Sequence, residues 1–140
     1  MGQWRAMMER RGIRYGICFG YGAFVGISSL MPSSSFGGWL KIIDCQHSDK
    51  IYHFIIYGIL AVLIRWAVGG RFLRSFWAIL LVCTAYGALM ELGQLLLLDG
   101  DRYFSWGDMA ANGIGSAVGM IIWHIFSNHS GSKFGIGRLK

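Results

Sequence analysis

Four long apolar runs alternate with polar stretches along the chain, at roughly residues 13–31, 51–68, 76–98 and 108–126. Each is close to the length of about 20 residues that a helix needs to cross a hydrocarbon core. None shows the period-two alternation of a half-buried strand, and open sheet edges are not tolerated in lipid. The pattern therefore predicts an all-α integral membrane bundle of four transmembrane helices in one domain over 1–140. Connections are expected at 32–50, 69–75 and 99–107. The first carries the single proline, Pro32, in PSSSFGG, a loop composition. The polar, glycine-rich tail from Ser127 onward is expected to be loosely ordered.

Composition agrees with this pattern. Hydrophobic residues make up 54% of the 140 positions and charged residues only 14%, with a mean hydropathy of +0.47. A soluble domain carries about a quarter charged residues, so this chain would leave large apolar patches in water. The net charge of +6 raises the question of nucleic acid, but the distribution of the bases points to a membrane instead. Arg5, Arg10, Arg11 and Arg14 precede the first run, Arg65, Arg71 and Arg74 lie at or after the end of the second, and Lys133, Arg138 and Lys140 lie in the tail. The opposite side keeps Lys41, Lys50 and Arg102, with most of the acids. Lys and Arg concentrate in cytoplasmic loops, so both termini and the middle connection are expected in the cytoplasm. The first run lacks a clean small-x-small cleavage site and reads as an uncleaved span. Cys18 and Cys83 lie in apolar runs and Cys45 in a loop, without CxxC or Cys/His ligand spacing. Neither a disulfide framework nor a metal or other cofactor is expected.

Small residues recur at four-residue spacing: Gly12, Gly16 and Gly20, Gly22 and Gly26, and Gly115 and Gly119 with Ala111. Such stripes let helix backbones approach closely in lipid. They serve packing inside the bundle, the favoured reading, or a homodimer seam. Trp39, Tyr103 and Trp106 suit an interfacial belt near the outer boundary, and His124 the inner one.

Polar residues inside the spans are the informative feature. Lys50, His53 and Tyr57 share one face of span two, Thr84, Gly87, Glu91 and Gln94 one face of span three, and Asp108, Asn112, Gly115 and Gly119 one face of span four. All fall in the outer halves. With a rise of about 1.5 Å per residue, Asp49, Lys50, Arg102 and Asp108 are expected at the surface, His53, Gln94 and Asn112 about 5 Å in, and Tyr57 and Glu91 about 10 Å in. Facing lipid, such groups would be costly. They are expected to face one another around an outward-open pocket. Ser105 and Asp108 form a Ser-x-x-Asp pattern that suits the cap of span four.

These residues also carry a resemblance. DKIYHFIIYGILAVL, ELGQ and RYFSWGDMAANGIGSAVG, within 49–119, resemble the VanZ-like family. The shared pattern is an Asp-Lys-x-x-His-Phe opening, a Glu-x-x-Gln pair, and an Arg followed by Asp-x-x-x-Asn-x-x-Gly. The resemblance implies a small multi-pass protein of the bacterial cytoplasmic membrane, in a family whose namesake is linked to low-level teicoplanin resistance. By motif, it marks Asp49, Lys50, His53, Tyr57, Glu91, Gln94, Arg102, Asp108 and Asn112 as ligand-binding candidates.

Two functions follow as expectations. One is a non-catalytic factor whose pocket binds a lipid headgroup, a lipid-linked cell-wall precursor or a lipoglycopeptide. Lys50 and Arg102 suit its anionic groups, and Glu91, Gln94 and Asn112 its hydroxyls and amides. The other is an intramembrane hydrolase or transferase with His53 and Glu91 as base and acid, although no GxSxG, HExxH or Walker pattern is present. An ion pathway would need polar groups through the whole bilayer, and the inner halves nearly lack them.

Overall fold

The computed structural model describes residues 10–30, 48–68, 75–97 and 105–129. Among these residues every regular element is an α-helix: α1 (Arg11–Leu30), α2 (Ser48–Ala67), α3 (Phe76–Leu97) and α4 (Trp106–His129). Pro32, Trp39, Lys41, Cys45, Arg102, Tyr103 and most of the three connections lie outside the described residues.

Three helices, α2, α3 and α4, are long and apolar enough to cross a membrane. α1 forms over the expected range, and its 20 residues would reach about 30 Å. It is less apolar, because Arg11, Arg14, Ser28, Ser29 and five glycines dilute its hydrophobic positions. α4 runs through Ser127 to His129, so the predicted tail begins inside a helix. Residues 130–140 lie outside the description.

The helices run up and down in chain order. Tyr21 donates to the Ile56 carbonyl at 3.2 Å, and the Arg14 guanidinium lies 5.3 Å above the Trp66 ring, which sets α1 antiparallel to α2. α2 and α4 run parallel and form the most extensive pairing. Glycine is the reason. A Cβ on Gly115 would collide with the Phe54 carbonyl, and one on Gly119 with the Gly58 carbonyl. The two backbones touch there with no side chain between them, the geometry that small residues permit in lipid. These two glycines therefore serve packing inside the bundle. On α1 the outcome differs. Gly26 abuts the Tyr86 hydroxyl, whereas Gly12, Gly16, Gly20 and Gly22 would meet nothing within 4 Å of an added Cβ. Most of that stripe is not used to seat α1 against its neighbours.

A small core of Val25, Ile56, Tyr57, Leu60, Ala61, Ile79, Cys83 and Met120 lies between the helices. The outer surface is apolar: Phe19, Trp77, Leu81, Leu96 and Phe126 are each more than two-thirds exposed. Water would penalise such a surface and lipid would not. At one end, Arg65 lies 5.8 Å over the Trp123 ring, beside the Arg14–Trp66 contact.

Candidate functional site

The polar candidates gather at the opposite end of the bundle. His53, Tyr57, Glu91, Gln94, Asp108 and Asn112 are all at least 95% buried, a concentration that a lipid-facing placement would not give. Lys50 and Asp49 are exposed at the start of α2. Arg102 lies outside the described residues.

The join between α2 and α4 is a side-chain hydrogen bond, His53 Nδ1 to Asn112 Oδ1 at 3.0 Å. It sits one turn from the Gly115 contact, so the glycine packing brings the imidazole and amide within reach. Asn112 also leans toward α3. A Cβ on Gly87 would lie 2.6 Å from Asn112 Nδ2, so the missing side chain makes room for the amide. Ser116 Oγ donates to the Asn112 carbonyl at 2.7 Å and lies 3.4 Å from the Tyr57 carbonyl. The Tyr57 ring stacks on His53, with centroids 6.3 Å apart and planes 15° from parallel. Asp49, one turn before His53, places Oδ1 3.9 Å from Nε2.

Glu91 reaches the head of α4, where its Oε2 accepts the Ser105 backbone N–H at 3.0 Å. Ser105 caps that helix by accepting the Asp108 N–H on its hydroxyl at 3.2 Å. The predicted capping pattern is thus half made. In the full reciprocal arrangement the acid three residues on would take the Ser105 N–H. Here Glu91 from α3 takes it instead, and the Asp108 carboxylate is left buried with Oδ1 lacking a hydrogen-bond partner. This contact also revises the predicted depths. Glu91 meets the first turn of α4 and does not lie below Asn112, because α4 starts alongside α3 and not level with its end. A carboxylate at a helix N-terminus is favoured by the exposed N–H groups and the helix dipole. Glu91 also lies within electrostatic reach of Asp108, His53 and Asp49.

Gln94 and Lys50 are used differently from the expected pocket. Gln94 Nε2 donates to the Ser29 carbonyl at 2.6 Å, which fastens α3 to the end of α1. Lys50 lays its stem over Gly107, whose Cβ would fall 2.6 Å from Lys50 Cε. Two tyrosine anchors of α1 were not anticipated: Tyr21 on α2, and Tyr86, which donates to the Gly22 carbonyl at 2.7 Å. Their signal, a hydroxyl facing a glycine-bared backbone, requires the helix pairing to be known.

Among the described residues, four buried side-chain polar atoms lack a hydrogen-bond partner: Ser29 Oγ, Tyr57 Oη, Asp108 Oδ1 and Asn112 Nδ2. Each such group costs about 1–3 kcal/mol. Three of the four belong to the His53–Asn112 cluster or border it. A carboxylate oxygen of Asp49, one of Asp108 and a ring nitrogen of His53 all lie within 4.8 Å of one another. That grouping was not foreseen, because its members come from two helices about 55 residues apart in sequence. At the far end an open cleft of about 280 Å³ is lined by Arg65, Phe76, Trp123 and His124 among others.

No curated protein and no solved structure matches the chain. A model of the VanZ/LLP1 family matches residues 7–127, which take in all four helices but the last residues of α4. Together with helices apolar enough to cross a bilayer, this match makes the chain a membrane protein that belongs to the VanZ/LLP1 family.

Proposed function

We infer that the protein is a four-span envelope protein whose buried polar cluster binds a polar envelope ligand from the extracytoplasmic side. The ligand class is a lipid headgroup, a lipid-linked cell-wall precursor or a lipoglycopeptide, and the last is the form in which a resistance role would arise. One observation carries this reading: Tyr57 Oη, Asp108 Oδ1 and Asn112 Nδ2 are buried together without partners. They supply an unused hydroxyl, a carboxylate acceptor and an amide donor, the groups that recognise hydroxyls and amides on a ligand. The charge asymmetry supports the orientation. Arg11, Arg14 and Arg65 lie toward one end, as positive-inside topology requires of a cytoplasmic face, and Asp49 and Asp108 toward the other. In this reading α1 is the fourth span, and both termini lie in the cytoplasm of a bacterial inner membrane. A homodimer through the exposed glycine face of α1 is compatible with it.

A hydrolase or transferase acting on a lipid-linked substrate is the second reading. It is favoured by the bond from His53 Nδ1 to Asn112, which fixes the ring and leaves Nε2 as a base, and by Glu91 within electrostatic reach.

The test is equilibrium binding of labelled lipid-linked precursor, and separately of lipoglycopeptide, to the purified protein in detergent. Binding that weakens tenfold or more in Glu91→Gln and Asn112→Ala supports the site. Equal binding by wild type and both variants removes it. Turnover of the bound precursor, lost in His53→Gln, would move the conclusion to the second reading.

A further inference from the structure

We propose that Asp49, His53 and Asp108 bind a divalent transition-series metal ion of the Zn²⁺ class at the rim of the polar cluster. The site shares Asp108 Oδ1 and His53 Nε2 with the readings above, and its test uses the metal alone, so that the two can fail separately. Its starting point is the grouping of one ligand atom from each residue within 4.8 Å of the others. Asp49 and His53 stand one turn apart on α2, and Asp108 comes from the first turn of α4.

Two further observations point to a cation. The first is the state of the imidazole. The Asn112 carbonyl oxygen is an acceptor, so at 3.0 Å it holds the proton on His53 Nδ1. Nε2 is then a lone pair, and it faces Asp49 Oδ1 at 3.9 Å. A positive ion between them would bond to both. A hydrogen bond that fixes the far nitrogen of a metal-binding histidine is the usual supporting partner at such sites. The second is Asp108. It is 95% buried, and its Oδ1 lacks a hydrogen-bond partner, because Glu91 has taken the Ser105 N–H that this acid would otherwise accept.

Charge and size fit as well. Two carboxylates and a neutral imidazole match the charge of a divalent ion, and desolvation is costly for the buried Asp108 carboxylate in particular. With metal–ligand distances of about 2.0–2.2 Å, tetrahedral ligands stand about 3.4 Å apart. The site must close from 4.8 Å, and the Asp49 side chain, 52% exposed, can move to close it. Mixed imidazole and carboxylate ligands suit Zn²⁺, Mn²⁺ or Fe²⁺ better than Ca²⁺ or Mg²⁺. Three protein ligands leave a coordination position open. The competing occupants are the Lys50 ammonium and a second proton on His53.

The protein is purified in detergent, stripped with chelator and dialysed against Zn²⁺, and bound metal is counted by mass spectrometry. Co²⁺ serves as the visible-absorbance probe. The expected result is about one Zn²⁺ per chain, with affinity reduced tenfold or more in Asp49→Asn, Asp108→Asn and His53→Gln and unchanged in His124→Gln. Co²⁺ should give ligand-field bands without a thiolate charge-transfer band. If the two buried substitutions abolish the thermal transition, exposed Asp49→Asn carries the test by itself. Zinc uptake that is absent in the wild type, or unchanged in Asp49→Asn, or lost in His124→Gln, overturns the site and assigns the cluster to a proton or Lys50.

Discussion

Replacing Gly115 with alanine adds one methyl group where α4 meets the backbone of α2. The new Cβ would overlap the Phe54 carbonyl, an atom that cannot rotate away as a side-chain tip can. The helices must part, by on the order of 1 Å, to reach ordinary van der Waals contact. A gap of that size forfeits a quarter to a half of the dispersion energy of each contact it opens. Overpacking of this kind costs about 1–3 kcal/mol. One turn away, the 3.0 Å bond between His53 and Asn112 would stretch to about 4 Å, past any useful hydrogen bond. Its loss adds roughly 0.6–1 kcal/mol for a polar pair inside a membrane protein. The expected total is about 2–4 kcal/mol, a 30- to 1,000-fold change in the folding equilibrium. Denaturation of the detergent-solubilised protein with increasing SDS measures it. Gly16→Ala is the matched control, since its Cβ would meet nothing within 4 Å. It should be neutral or stabilising, because alanine exceeds glycine in helix propensity by about 1 kcal/mol. If Gly115→Ala unfolds within about 0.5 kcal/mol of wild type, the backbone contact is not what holds α2 to α4.

Three other outcomes are expected. Ser105→Ala removes the hydroxyl that accepts the Asp108 N–H and should cost about 1 kcal/mol in the same SDS titration; no change would show that the backbone turn and Glu91 suffice. Gln94→Leu removes the anchor on the Ser29 carbonyl, so a cysteine crosslink between α1 and α3 should form more slowly, with a stability loss of about 0.5–2 kcal/mol; an unchanged crosslinking rate would place the α1 anchor on Tyr86. In a background without the native cysteines, a single cysteine at exposed position 49 should react with a membrane-impermeant thiol reagent from the extracytoplasmic side; labelling only after the membrane is opened would reverse the proposed orientation.

Periodicity made the four helices legible, and it marked His53, Tyr57, Glu91, Gln94, Asp108 and Asn112, which the structure buries. Lys50, His53 and Tyr57 share a face because a helix repeats every 3.6 residues, and that needs no partner to be known. The tasks of these residues were less legible. Gln94 and His53 were expected at one depth in one pocket, yet Gln94 turns to the Ser29 carbonyl, since α1 packs against that flank of α3. Nothing local distinguishes Gly16 from Gly119, although one faces open space and the other a carbonyl. Glu91 stands level with the head of α4 and not below Asn112, because the starting height of α4 along α3 is set by packing, not by segment length. The Asp49–His53–Asp108 grouping depends on that same offset, together with the parallel register of α2 and α4.

The tightest contact joins the second helix to the fourth, with the third between them in the chain. During synthesis α1, α2 and α3 emerge before α4 does. Until α4 arrives, His53 has no amide to bond, and Glu91 has no helix head to receive it. Without α4, the three preceding helices leave the His53 imidazole and the Glu91 carboxyl without these partners, so both polar groups are satisfied only when the last helix docks.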